Sequence, residues 1–165
     1  MSNAIAPEPR LSRRFRLRRC AFRFDGRTHC VKAARTWLDA RMKVAGVPPE
    51  TADTAALLLS ELATNAVLHT PSGDVGGRFA VRAYFLPGRL RVEVRDEGGL
   101  LSPLPPTASA PDPDAEHGRG LLLVATLAQR WGRFTSGRGP GMYFELRWAA
   151  APAASALPRR EEVRP

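Results

Sequence analysis

The chain has 165 residues, of which 44% are hydrophobic and 25% charged, a balance that suits one soluble domain with tails. No apolar run approaches the ~20 residues needed to span a bilayer, and the arginine-rich N-terminus lacks the apolar core of a secretory signal; a cytoplasmic protein with no membrane partner is expected. The formal net charge of +9 raises nucleic acid or an acidic protein surface as a partner, but no familiar nucleic-acid motif accompanies it.

Residues 1–12 and those from 149 to 165 are expected to be disordered tails around a domain spanning 13–148. Residues 13–24 read as a first strand, with Phe15, Leu17, Phe22 and Phe24 as apolar contacts, closed by an Asp25-Gly26 turn. Thr28 is a candidate cap for a helix reaching about Ala45. Val31, Ala34, Leu38 and Met42 recur on one face of it, and Gly46 is its stop. Pro48-Pro49 opens a second helix, since proline is tolerated where the first amides lack helical partners. That helix runs to about His69, is apolar and mostly buried from Ala55 to Leu68, and is closed by Thr70-Pro71-Ser72-Gly73.

Two strands follow, joined by a tight Pro87-Gly88 turn. Phe79, Val81, Ala83 and Phe85 alternate with Arg78, Arg82 and Tyr84; Leu90, Val92 and Val94 alternate with Arg89, Arg91, Glu93 and Arg95. Period-two alternation predicts one buried and one wet face, so these arginines are read as solvated. Residues 97–116 lose all periodicity and predict a long functional loop. A third helix is expected from Gly118 to Arg130, then closing strands at 131–136 and 142–148, with Met142, Phe144, Leu146 and Trp148 on one face. This order predicts an α+β fold: a two-layer sandwich whose mixed, mostly antiparallel sheet carries three helices on one face. Cys20 and Cys30 are too widely spaced for a CxxC motif and read as reduced thiols.

Three segments carry candidate chemistry. Glu61, Asn65 and His69 recur every four residues and so share one face of an otherwise apolar helix. A buried carboxylate or amide there needs a partner such as metal or phosphate, unless the stripe is simply the wet face. Asp96-Glu97-Gly98-Gly99 follows a strand directly. It is either a turn or an acceptor for a base amine, with a glycine that lets a ring approach the backbone. His117-Gly118-Arg119-Gly120-Leu121 opens the third helix, where free amides and the positive dipole end make an anion site; the alternative is an ordinary flexible start to the helix.

The order of these segments, Glu-x-x-x-Asn-Ala on a helix, Asp-x-Gly after a strand, then Gly-x-Gly-Leu opening a helix, resembles the N, G1 and G2 boxes of the GHKL ATPase family, which includes gyrase B subunits and sensor histidine kinases. The resemblance covers roughly residues 13–148. The Glu-Leu-Ala-Thr-Asn-Ala-Val and Gly-Arg-Gly-Leu-Leu-Leu-Val segments resemble its anti-sigma-factor serine kinase branch, short ATP-binding regulators of arginine-rich actinobacterial proteomes. The resemblance implies a Bergerat-type fold that binds ATP and Mg²⁺. It makes Asn65 the metal ligand, Glu61 the catalytic group that orients or deprotonates the nucleophile, Asp96 the partner of the adenine amine, and Gly98 the place where the base packs. Gly118 and Gly120 expose amides to phosphate, with His117 and Leu121 in the same nucleotide-binding segment, His69 and Arg119 as phosphate-side contacts, and residues 99–117 as the lid. The chain departs from the family pattern at Leu100, where a third glycine is usual, and at Gly139-Pro140-Gly141-Met142, which supplies no lysine.

The implied function is a regulatory protein kinase that phosphorylates Ser or Thr of an anti-anti-sigma partner and sequesters a sigma factor, in a branch that often forms homodimers. Two other readings stand beside it: a non-enzymatic ATP switch acting by stoichiometric binding, and a basic nucleic-acid binder. A stand-alone sensor histidine kinase is disfavoured: of the three histidines, His69 and His117 fall in the nucleotide boxes, and no helix pair displays a phospho-acceptor.

Overall fold

Five strands and three α-helices make up residues 18–97 and 119–149, the part of the chain that the computed structural model describes. The chain order is β1 (Arg19–Asp25), α1 (Thr28–Ala45), α2 (Pro49–His69), a 3₁₀ turn (Pro71–Gly73), β2 (Arg78–Leu86), β3 (Arg89–Asp96), α3 (Arg119–Leu127), β4 (Arg130–Ser136) and β5 (Gly139–Arg147). The strands form one sheet in the order β1-β2-β3-β5-β4, and every pairing among the described residues is antiparallel.

The helices cover one face of this sheet. Ala34, Trp37, Leu38 and Met42 of α1 and Ala55, Leu58, Leu59, Leu62, Ala63, Ala66 and Val67 of α2 are buried at helical spacing. They meet Phe79, Val81, Ala83 and Phe85 of β2, Leu90, Val92 and Val94 of β3, and Phe144 and Leu146 of β5. Each fully buried Leu or Phe contributes about 1.5–3 kcal/mol. This apolar seam fixes α2 over the middle strands and leaves its polar stripe at the edge of the core.

Several boundaries follow from local chemistry. Gly46 ends α1 at φ 72°, with Gly46 N–H donating to Lys43 O and Val47 N–H to Met42 O, a Schellman closure that needs the left-handed backbone glycine adopts freely. Thr28 does not cap α1: the extended residue is Arg27, and no side chain closes the helix start. The reason is the turn after β1, in which Arg27 N–H donates to Asp25 O and the helix begins at once. α3 stops at Leu127, short of the expected Arg130, because Gln129 is already tied to β5 through Gln129 N–H to Glu145 O and Arg147 N–H to Gln129 Oε1. β5 begins earlier than expected, at Gly139. The residues Arg13 to Leu17, both tails and the loop from Gly98 to Gly118 lie outside the described residues.

The sheet's second face corrects the expectation of solvated arginines. Arg95 is only 7% exposed, and Arg82, Arg89 and Arg91 are half-buried. Arg95 lies between Ala80 and Gly141 on the neighbouring strands, and the head groups meet glutamates: Arg91 reaches Glu93 at 2.9 Å and Glu145 at 3.1 Å. Phe22, expected to be apolar packing, is 53% exposed at the β1 edge, although its ring lies 4.9 Å from that of Phe24. Cys20 and Cys30 are free and half-buried, and burial pushes the Cys20 thiol up.

Candidate functional site

The polar stripe of α2 interrupts its buried run at Glu61 and Asn65, both half-buried, and ends at the exposed His69. Glu61 meets α3. Leu121, Leu123 and the fully buried Val124 seat that helix on the core, which brings its first turn over α2. A Cβ at Gly120 would land on Glu61 Oε2, so the bare glycine is what lets the carboxylate lie against the start of α3. That is the positive end of the helix dipole. The glutamate and the glycine, 59 positions apart in the sequence, are thus neighbours.

The other end of the stripe meets β3. Asp96 is the last residue of β3 and pairs with Phe79, so its side chain points to the helix-covered face. Thr70, just after α2, lies 3.5 Å from Asp96 Oδ1 through its hydroxyl. The same hydroxyl donates to Ala66 O at 2.6 Å and accepts from Ser72 N–H at 3.1 Å. A hydroxyl has one proton, and the shorter bond to Ala66 takes it. Asp96 is therefore poorly compensated for its burial. Its carboxyl rises from the ordinary 3.8 to about 6, chiefly by desolvation, with Thr70 and the charge of Arg133 opposing the shift. A half-buried carboxylate with spare lone pairs is a ready acceptor for an amine.

Thr70 and Ser72, expected only to close α2, also hold this corner. Ser72 is fully buried and its hydroxyl accepts from Glu97 N–H at 3.2 Å; with Thr70 it ties the end of α2 to the end of β3. The signal was present as a Thr-Pro-Ser-Gly turn, in which a threonine hydroxyl accepts from an amide two residues on. Gly139, at φ 112°, comes so close to β3 that a Cβ there would sit 3.0 Å from Asp96 O.

The structure thus brings Glu61 and Gly120 together at one end of the α2 stripe and Asp96 to the other, with Asn65 one helical turn along from Glu61. Leu121 faces the core, half-buried. Gly98, His117 and Gly118 lie outside the described residues, as does the side chain of Arg119. From Glu61 to Thr70 the helix advances about 13 Å, a span on the scale of a nucleoside triphosphate laid along it. No cluster of three His, Cys, Asp or Glu able to hold a metal ion occurs among the described residues. Asn65 offers a single half-buried amide oxygen, where Mg²⁺ usually keeps several waters and takes one or two carboxylates together with substrate phosphates.

Among the described residues no helix is long and apolar enough to cross a membrane. Comparison with curated proteins gives no match. A family model described as a histidine kinase-like ATPase domain matches residues 24–148, from the end of β1 to just past β5. With that match across well over half of its length, the chain belongs to the histidine-kinase-like ATPase domain family, an ATP-binding fold.

Proposed function

We propose that the chain is a cytoplasmic regulatory kinase of the anti-sigma-factor type, which transfers the γ-phosphoryl group of ATP to a Ser or Thr of an anti-anti-sigma partner and also binds a sigma factor. The observation that carries the chemical part is the pairing of Glu61 with the first turn of α3 at one end of α2 and the half-buried Asp96 carboxylate beside Thr70 at the other. One end offers a base beside an anion-binding helix terminus; the other offers an acceptor for the adenine amine. Phosphoryl transfer needs positioning, charge neutralisation and a proton acceptor, and little else.

In this reading Asp96, with Gly98, would accept the adenine amine and pack the base, and Gly118 and Gly120 would offer backbone amides to the phosphates. Asn65 would hold Mg²⁺, which when bound would supply neutralisation of the phosphate charge. Glu61 takes the proton of the attacking hydroxyl as its oxygen bonds to the γ-phosphorus and the bond to the β,γ-bridging oxygen breaks, leaving ADP. Thr70 and Ser72 hold Asp96 in place.

Calorimetry of ATP binding with and without Mg²⁺, on wild type and Asn65→Ala, tests the site. Metal-dependent binding that the variant loses is expected; a folded wild type that binds no ATP refutes the assignment. Phosphorylation of a partner by wild type and Glu61→Gln tests the chemistry, with a drop of about 100-fold or more expected for loss of the base. The segment Gly139-Pro140-Gly141, which brings no lysine to the strand beside Asp96, favours a second reading, a non-catalytic ATP switch. Partner regulation by Glu61→Gln equal to wild type selects that reading.

A further inference from the structure

The helix-free face of the sheet divides into two halves. In one, charge is matched: Arg91 lies over the Tyr143 ring at 3.7 Å and pairs with Glu93 and Glu145, and Arg89 reaches Glu145 at 3.7 Å. In the other, a groove of about 450 Å³ crosses β1, β2 and β3. Its floor is low because Ala21 and Ala80 face outward there, and Gly141 continues the row beside Arg95. Its walls are Arg23, Arg82, Arg95 and Arg138, with Glu93 the one acidic residue among them and Phe22 and Phe134 as apolar walls. The ring of Phe134 lies over Gly141, where a Cβ would meet it at 2.6 Å.

The groove carries surplus positive charge. Arg23 Nε and Arg95 Nη2 share one oxygen, Glu97 Oε1, at 2.9 and 3.0 Å. Arg82 meets Glu93 only at 4.0 Å, and Glu93 is already bound to Arg91. Arg138 has no ion-pair partner among the described residues. Four arginines thus face two shared carboxylates. Arg95 is the most telling of them: more than nine-tenths of it is buried, yet its Nε has no hydrogen-bond partner. A buried donor without a partner is costly, and guanidinium offers its Nε and Nη edge as a fork matched to a carboxylate.

We infer that this groove docks an acidic segment of a protein partner, an Asp or Glu carboxylate entering over Ala80 to meet Arg95, Arg23 and Arg138, with an apolar neighbour against Phe134. Charge complementarity selects the occupant: the floor is apolar, the walls set four arginines against Glu93, which Arg91 already engages, and the guanidinium fork fits a planar carboxylate. The surface lies on the opposite side of the sheet from Asp96 and Glu61, so this assignment is independent of the nucleotide chemistry.

The test is selection of a displayed library of random short peptides on the full-length chain, then anisotropy titration of the best labelled peptides. Enrichment of Asp or Glu beside an apolar residue is expected, with affinity falling at least about tenfold for the double variant Arg23→Glu/Arg138→Glu. Both positions are exposed and the variant is expected to fold. ATP calorimetry on the same protein, unchanged from wild type, separates loss of the groove from loss of the fold or of the nucleotide site. Arg95→Gln should weaken the same peptides, and replacing their acids by amides should abolish binding. Selected peptides without acidic enrichment overturn the inference, as does equal binding to the charge-reversed variant. A DNA oligonucleotide that binds more tightly than any selected peptide and is lost in the variant overturns it in favour of nucleic acid. A change in oligomeric state in that variant without peptide binding overturns it in favour of a second copy.

Discussion

Replacing Asp96 by Asn should strengthen the unliganded fold while weakening its grip on adenine. The carboxyl rises from 3.8 to about 6 because burial disfavours its charge, and Thr70 and the charge of Arg133 offset this only in part. A group whose folded pKa is raised contributes its stability below the unfolded value, and that stability is lost as pH rises through the folded value. The cost of keeping Asp96 ionised therefore appears between about pH 4 and 6 and is complete at pH 7.5. At about 1.36 kcal/mol per pH unit its ceiling is about 3 kcal/mol; partial access to water screens it, and a gain of about 1–2 kcal/mol in Asp96→Asn is expected at pH 7.5. Urea unfolding of the nucleotide-free protein at pH 7.5 and pH 4 measures this, and the gain should vanish at the lower pH. ATP affinity should move the other way. The neutral amide accepts a weaker hydrogen bond than a carboxylate, so affinity falls about tenfold at pH 7.5. Wild type at pH 5 should resemble the variant, whose own affinity stays flat over that window. A variant less stable than wild type at pH 7.5, or a gain that persists at pH 4, refutes the reasoning.

Gly120→Ala should leave stability near wild type, since the helix gains about 1 kcal/mol of propensity, while its methyl displaces the Glu61 carboxylate; paired melting curves and phosphotransfer assays should show turnover lost with Tm retained. Ser72→Ala removes one of the two acceptors of the Glu97 amide, which keeps Arg78 O at 3.1 Å, and should cost only about 0.5–1.5 kcal/mol in urea unfolding, together with weaker ATP binding as the Asp96 corner loosens. Phe79→Ala empties a fully buried position stacked on Phe24 at 5.4 Å; a loss of about 3–5 kcal/mol is expected in chemical denaturation, enough to leave a typical domain marginal.

The helices and the hairpin were legible because their signals are local. The α1 face, the Gly46 stop and the Pro87-Gly88 turn each follow from a few neighbouring residues, and the structure places them as expected. The α2 stripe was legible for the same reason, since helical spacing alone aligns Glu61 with Asn65. What escaped depends on residues distant in sequence. That Gly120 makes room for Glu61, or that Ser72 secures Glu97, becomes visible only when α3 and β3 have docked. Gln129 reads as helix by propensity, but its pairing with β5 overrides this. The arginines of β2 and β3 alternate as a wet face should, yet small neighbours and shared glutamates bury Arg95, and alternation cannot distinguish an exposed charge from one folded down onto alanine and glycine.

Strand β3 carries both surfaces in alternate positions: Leu90, Val92, Val94 and Asp96 turn toward the helices, and Arg89, Arg91, Glu93 and Arg95 turn away. Point substitutions at the outward positions can remodel one surface while the inward set stays intact. A one-residue insertion or deletion has no such freedom. It would exchange the two sets, driving arginines into the apolar layer and lifting the Asp96 carboxylate out of its corner in a single step. Length variation in this strand should therefore be far less tolerated than changes of residue type, and the two surfaces can diverge independently only while the reading frame of the pleat is kept.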